Sequence, residues 1–324
     1  MAKPRVFVAK RLPKEALDYL AGHCEVDVWE GPEPPAREEL KKRAADAEGL
    51  IVFGSPIDGD LLDAAPNLRV VANCSVGYNN FDLAAMKRRG IIGTNTPGVL
   101  DETVADLTFA LILGTARRVA ELDRYVRGGR WKRGDEEILY GIDVHHATLG
   151  IVGMGRIGEA VARRAKFGFS MEVVYHNRRR KPGAEAELGV EYLPLDELLR
   201  RSDFVVVLVP LTPETEKLIG REQFALMKPT AIFINVSRGP TVDEEALAEA
   251  LEQGRIRGAG LDVFVQEPVP ADHPLLRFPN VLVLPHIGSA TAKTRFDMAM
   301  LAARNLVDAL EGRLPPNVVP ELLP

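Results

Sequence analysis

Short apolar runs alternate with stretches of helical periodicity along nearly the whole chain. In the first third, residues 5–9, 25–29, 50–53 and 68–73 read as strands. Residues 16–22, 37–47 and 82–89 read as helices between them, with Gly22 and Gly90 as stop signals for the first and last. Residues 101–126 read as one long helix. It is apolar nearly all round (Val104, Leu107, Phe109, Ala110, Leu111, Ile112, Leu113) and so is expected to be buried between two domains. The pattern fades at Gly128 and Gly129, and residues 130–145, with Trp131 and Tyr140, read as an irregular loop.

The alternation then restarts more strongly. Residues 148–152, 173–175, 204–209, 231–236, 260–264 and 281–284 are near-continuous apolar runs, as parallel strands buried on both faces require. Helices are read at 156–167 and at 243–253, the second with Asp243 as N-cap or first-turn acid. The last helix, 292–310, ends at Gly312 and follows the sixth strand of this second set, free to pack back on the first. The pattern predicts an α/β chain of two doubly wound parallel-sheet domains. One is discontinuous, 1–99 with 288–324, and the other spans 100–287.

Composition narrows the function classes. A chain of 324 residues suits two domains. Its 46% hydrophobic and 27% charged residues are ordinary for a soluble protein, and a net charge of −5 leaves no footprint for nucleic acid or an anionic membrane. Two cysteines, Cys24 and Cys74, form neither a CxxC pair nor a metal spacing, so two buried thiols and no metal site are expected. The opening MAKPRVFVAK carries no apolar leader core, and no stretch approaches about 18 continuous apolar residues. The cytoplasm is the expected compartment.

The chemistry begins at Gly153-Met154-Gly155-Arg156-Ile157-Gly158, a GxGxxG that follows one predicted strand and opens the next helix. In that setting it is a dinucleotide-binding fingerprint. Gly153 permits the tight turn, Gly155 lets a pyrophosphate approach the backbone, and Gly158 lets helix and strand pack closely. The next strand ends in His176-Asn177-Arg178-Arg179-Arg180-Lys181, with no acid to accept from an adenosine 2′-hydroxyl. An amide followed by guanidinium groups suits a 2′-phosphate, so NADP is expected ahead of NAD. The competing reading of that run is a solvated basic face.

Three ionisable residues follow the carboxyl ends of successive predicted strands: Arg238 in FINVSRG, Glu267 in LDVFVQEP and His286 in VLVLPHIGS. That edge is where ligands bind in open α/β sheets. His286 has the residue type of a general acid near neutral pH, Glu267 of the carboxylate that orients it, and Arg238 of a bidentate clamp for a 2-keto carboxylate. Each alone has a bland reading, and their convergence is the signal.

With these residues in place, the chain resembles the D-2-hydroxyacid dehydrogenases. VANCSVGYNNFDLAA, TPGVLDETVADLTFALIL, LGIVGMGRIGEAVARR, FVVVLVPLTPETEKLI, FINVSRGPTVDEEAL, GAGLDVFVQEP and NVLVLPHIGSAT carry the match, in order, over nearly the whole length. The resemblance implies a Rossmann-type cofactor domain, a flavodoxin-like substrate domain and catalysis by Arg238, Glu267 and His286. It further implies that Val76 and Gly77 offer amides to the substrate carboxylate. Thr103 and Asp262 would attend the nicotinamide, and Pro210, Thr215, Val236 and Gly288 would line the cofactor cleft. A homodimer is implied, with Trp131 either anchoring the dimer contact or reaching a partner's site. Within the family the match is to glyoxylate/hydroxypyruvate reductases. Phosphoglycerate, D-lactate, 2-ketogluconate and phosphite oxidoreduction stand as alternatives, as does, from another class, a dinucleotide-sensing corepressor. Formate dehydrogenases carry Gln where Glu267 stands, which disfavours them.

Overall fold

A computed structural model of the chain describes residues 2–323. They divide into two compact units, one formed up to Leu100 together with Ala290 onward, the other Asp101–Ser289.

The first unit alternates β1 (Arg5–Val8), α1 (Lys14–His23), β2 (Glu25–Val28), α2 (Arg37–Ala44), β3 (Gly49–Val52), α3 (Gly59–Ala64), β4 (Val70–Asn73), α4 (Leu83–Arg88) and β5 (Ile92–Thr94). Its sheet is wholly parallel in the order β2-β1-β3-β4-β5. That is the flavodoxin-like order, whose ligand crevice lies between the first and third strands. Caps fix the short helices: Asp58 accepts from the Leu61 amide and Asp82 from the Ala85 amide.

The second unit contains α5 (Asp101–Ala116), α6 (Val119–Arg127), β6 (Thr148–Val152), α7 (Arg156–Phe169), β7 (Glu172–His176), α8 (Pro182–Leu188), β8 (Glu191–Tyr192), α9 (Leu195–Arg201), β9 (Phe204–Val207), α10 (Arg221–Leu226), β10 (Ile232–Asn235), α11 (Glu244–Glu252), β11 (Gly258–Leu261) and β12 (Val281–Val283). Its seven strands are also all parallel, in the order β12-β11-β10-β9-β6-β7-β8. This is the Rossmann arrangement with one further strand, and its order reverses between β6 and β9. Asp243 caps α11, accepting from the Glu245 and Ala246 amides. The last helix, α12 (Ala292–Leu310), packs on β3, β4 and β5 of the first unit.

Several boundaries differ from the sequence reading. The helix expected over 101–126 breaks in two. Ile142 N–H captures the Ala116 carbonyl at 3.0 Å, and Arg118 turns into the left-handed region at φ 56°. The Ile142 contact is not local, and no Gly or Pro marks the break. Gly22 does not stop α1, which runs to His23 and closes with Cys24 N–H donating to the Leu20 carbonyl at 2.7 Å. The second sheet has seven strands where the apolar runs show six, because two-residue β8 is too short to show periodicity. The strand expected at 260–264 is Gly258–Leu261, since the apolar run continues past the last ladder pair. Strand β5 and helices α3, α8, α9 and α10 are all short and leave no distinct pattern in the sequence.

Both thiols are buried and unpaired, and burial pushes Cys24 up to about 11 and Cys74 up to about 12, so both are protonated and inert at neutral pH. No helix among the described residues is long and apolar enough to cross a membrane. No group of three or more His, Cys, Asp or Glu among them could hold a metal ion.

A core cluster of the second unit is pinned by Phe233 of β10, fully buried and edge-on to Phe224 of α10 at 5.2 Å between ring centroids. Phe233→Ala should therefore destabilise the second unit by about 3–5 kcal/mol, read as a lower midpoint in denaturant at unchanged slope.

Candidate active site

The fingerprint turn is built by packing on one side and left open on the other. Gly153 stands at φ 109°, where a Cβ would come 2.7 Å from the Leu208 carbonyl carbon beyond β9. At Gly158 a Cβ would lie 2.5 Å from the Gly153 oxygen. Gly155 is different, for a Cβ there would meet nothing within 4 Å. Gly155 also gives α7 no side-chain cap, so the amides of Arg156, Ile157 and Gly158 have no acceptor within the helix. Open space, free donors and the positive helix end make a cradle for a pyrophosphate, and the residues present fit a dinucleotide. The position is the β6/β9 reversal point of the sheet.

Asn177 has a task the sequence did not disclose. Its Oδ1 accepts from Met154 N–H at 2.7 Å and its Nδ2 donates to the Met154 carbonyl at 3.2 Å, so it pins the turn. Arg178 and Arg179 are exposed just after it, with no ion pair among the described residues. Arg180 is held by Glu185 at 2.6 Å and Lys181 by Glu159 at 3.5 Å. On the far side, Thr215 closes the loop after β9: its hydroxyl donates to the Pro210 carbonyl at 2.6 Å and accepts from Thr212 N–H at 2.8 Å.

The ionisable residues gather beyond β10, β11 and β12, three neighbouring strands. Arg238 follows β10, its main-chain oxygen accepting from Asn235 Nδ2 at 3.1 Å and from the Thr241 hydroxyl at 2.7 Å. The next residue, Gly239, lies flat on the Phe264 backbone, where a side chain would overlap it. Burial lowers the Arg238 pKa from the ordinary arginine value, with Glu267 opposing; an arginine so placed still carries its charge. Glu267 follows β11. Its Oε1 accepts from Phe264 N–H at 3.0 Å and its Oε2 holds His286 Nδ1 at 2.7 Å. Burial would raise this carboxyl, but the His286 ring, the Phe264 amide and the Arg238 charge together hold it below the usual carboxylate range. His286 Nε2 has no partner among the described residues.

His286 itself stands at φ 54°. A histidine in the left-handed region costs about 1–3 kcal/mol and persists only where its surroundings over-determine it. Here Asp262, buried at the end of β11, accepts from Ile287 N–H and from Gly288 N–H, one on each oxygen, both at 2.8 Å. Burial raises the Asp262 carboxyl, while those two amides and the ring pull it back. Gly288 leaves room for this carboxylate, since a Cβ would come 3.2 Å from Asp262 Oδ2. Val236 is buried beyond β10, and Thr103 is half-buried in the first turn of α5. Val76 and Gly77 belong to the other unit, half-buried after β4. The clamping roles of Asp262, Asn177 and Gly239 had no signal in the sequence, because each depends on a partner distant along the chain.

The depressed carboxyl of Glu267 has a consequence for stability. A carboxyl held low in the fold contributes stability above its unfolded value of about 4, and loses it as the pH falls through the lower folded value. Glu267→Gln should therefore melt earlier than the parent at pH 7, and the gap should close below about pH 4. A gap that is constant with pH in thermal melts would refute this.

Residues 109–288 match the family model for the D-isomer specific 2-hydroxyacid dehydrogenase, NAD binding domain. A glyoxylate reductase of Korarchaeum cryptofilum is 51% identical over 319 residues, 98% of this chain and 96% of that protein. Glyoxylate/hydroxypyruvate reductase B of Yersinia pestis is 50% identical over 322 residues, 99% of each. A crystal structure from Thermus thermophilus superposes with a TM-score of 0.90 at 50% identity, covering 97% of this chain and 99% of that one. The NADPH-dependent glyoxylate/hydroxypyruvate reductase of Sinorhizobium meliloti, solved with NADP and malonate, gives 0.87 at 36% identity, covering 99% and 98%. The chain belongs to the D-isomer specific 2-hydroxyacid dehydrogenases.

Proposed function

We propose that this protein reduces small 2-keto acids, glyoxylate to glycolate and hydroxypyruvate to D-glycerate, with NADPH preferred to NADH. The observation that carries the reading is the 2.7 Å contact of His286 with Glu267 beside the half-buried Arg238, at one end of three adjacent strands. The substrate names come from the relatives at 50–51% identity.

A bound nicotinamide supplies the hydride. His286 gives the proton: with Nδ1 held by the carboxylate, Nε2 is the nitrogen that protonates the keto oxygen. Glu267 fixes the ring's orientation and tautomer through Nδ1. Arg238 takes the substrate carboxylate and carbonyl in a fork, in a partly desolvated place where opposite charges attract more strongly than in water. Val76 and Gly77 add backbone amides to the carboxylate. Thr103 and Asp262 attend the nicotinamide, and Pro210, Thr215, Val236 and Gly288 line its cleft. Gly153, Gly155, Arg156, Ile157 and Gly158 hold the pyrophosphate. Arg178 and Arg179, exposed beside Asn177 and without ion pairs among the described residues, select the 2′-phosphate.

A second copy of the chain covers α6 and the loop after it, and the homodimer resides in the cytoplasm. Helix α6 buries no residue, and Val119, Val126, Trp131, Ile138 and Tyr140 are all large, apolar and exposed between 119 and 140. The two reduced thiols agree with a reducing compartment.

The reductase reading is tested by NADPH and NADH oxidation with glyoxylate and with hydroxypyruvate. Turnover with both acids is expected, faster with NADPH, and His286→Ala should lose about 10²–10⁴-fold in kcat while still binding cofactor. A near-parental rate in that variant would remove His286 from the chemistry. Light scattering should give twice the chain mass, and Trp131→Asp with Tyr140→Asp should give a monomer. A monomeric parent would overturn the dimer.

A further inference from the structure

The flavodoxin-like sheet of the first unit has its own ligand edge, and the residues there point to a property of the substrate. The reversal point of the order β2-β1-β3-β4-β5 lies between β1 and β3, and ligands in such sheets bind beyond the strands' carboxyl ends. Lys10 follows β1 and Phe53 follows β3, and the Lys10 ammonium stands over the Phe53 ring at 5.3 Å from its centroid. The loops after β3 and β4 form one rigid wall. Asn73 Oδ1 accepts from Gly54 N–H at 3.2 Å, while its Nδ2 donates to the Gly77 carbonyl at 2.7 Å. Asn80 Nδ2 donates to the Ser55 carbonyl at 2.9 Å, and Asn95 Nδ2 to the Val76 carbonyl at 2.8 Å. The carbonyls of Ser55, Val76 and Gly77 are thus all committed within the wall.

A second cation stands at the same edge. Helix α12 runs antiparallel to the strands: Leu306 and Leu310, near its end, pack on Gly49 at the start of β3. Its first turn, with Arg295, therefore lies at the strands' carboxyl ends. Lys10 and Arg295 are both exposed, and both act electrostatically on Cys74, the residue that leads from β4 into the Val76–Gly77 loop. Neither makes an ion pair among the described residues.

We infer that Lys10 and Arg295 form a subsite for a second anionic group on the substrate, so that 2-keto acids with a distal carboxylate are preferred over neutral-tailed acids of the same length. This rests on the reductase reading, in which Val76 and Gly77 hold the first carboxylate. The tail of that substrate then meets the wall of Phe53 to Ser55 with the two cations beside it. A methyl group gains little there, whereas a carboxylate gains two counter-charges in a partly solvated site.

The test compares oxaloacetate with 2-ketobutyrate, four-carbon acids that differ by a terminal carboxylate in place of a methyl. The parent should show the lower KM for oxaloacetate, and the preference should shrink as ionic strength rises. Lys10→Met keeps the stem on Phe53, and Arg295→Gln changes an exposed residue, so both variants retain the fold. Together they should raise the KM for oxaloacetate about tenfold while moving that for 2-ketobutyrate less than about twofold. No parental preference, or an equal change for both acids, overturns the subsite. D-malate and D-2-hydroxybutyrate binding by calorimetry, in the same variants, provides a readout free of turnover. If the parent reduces neither glyoxylate nor hydroxypyruvate, the reductase reading fails, and the malate titration still decides the cation pair: selective loss of malate affinity supports it, and no selective loss overturns it.

Discussion

Every strand pair in both sheets is parallel, and a parallel pair cannot be closed by a hairpin. Each strand must be followed by a crossover that returns the chain to the opposite edge, so all carboxyl ends of a sheet share one side. That constraint assembles the chemistry. Arg238, Glu267 and His286 are far apart in sequence, yet each simply lies in the segment that follows β10, β11 or β12, and those strands are neighbours. The fingerprint turn occupies the same edge after β6, at the reversal point of the strand order, where ligands bind in open parallel sheets.

Gathering loops on one edge creates a second problem, because loops do not satisfy their own backbone groups. Both units solve it with buried or half-buried polar side chains that reach main-chain atoms. In the second unit Asp262 takes two amides, Asn235 and Thr241 hold the Arg238 carbonyl, and Asn177 takes both polar groups of Met154. In the first, Asn73, Asn80 and Asn95 do the same for the loops after β3 and β4. These contacts are local to the edge and let a strained residue persist. His286 keeps a left-handed backbone because the two amides that follow it are both committed to one buried carboxylate.

The sequence disclosed whatever depends on short range. The fully buried strands announced themselves as apolar runs, the fingerprint by glycine spacing, and Arg238, Glu267 and His286 by their position after such runs. Asp243 was legible as a cap because capping is set within three residues. What was not legible depends on contacts made elsewhere. The break after Ala116 is made by Ile142, the commitment of Asn177 by Met154, and the need for glycine at 239 by Phe264. Gly22 misled for the related reason that a glycine stops a helix only where the chain also has a partner for the turn beyond it. The boundary of β11 slid because burial, and not strand pairing, sets the length of an apolar run.

The charges at this edge depend on one carboxylate. Glu267 faces both Arg238, a half-buried cation, and the His286 ring, and its other oxygen is taken by the Phe264 amide. Burial alone would raise that carboxyl, but the ring, the amide and the cation together hold it down, so it stays an anion fixed at both oxygens. A carboxylate fixed in this way decides which ring nitrogen is left over: with Nδ1 engaged, Nε2 has no partner among the described residues. The same anion keeps the Arg238 charge from standing uncompensated in a partly desolvated place. Removing it would release the ring's orientation and strand the cation at once, so the three residues act as a unit although each follows a different strand.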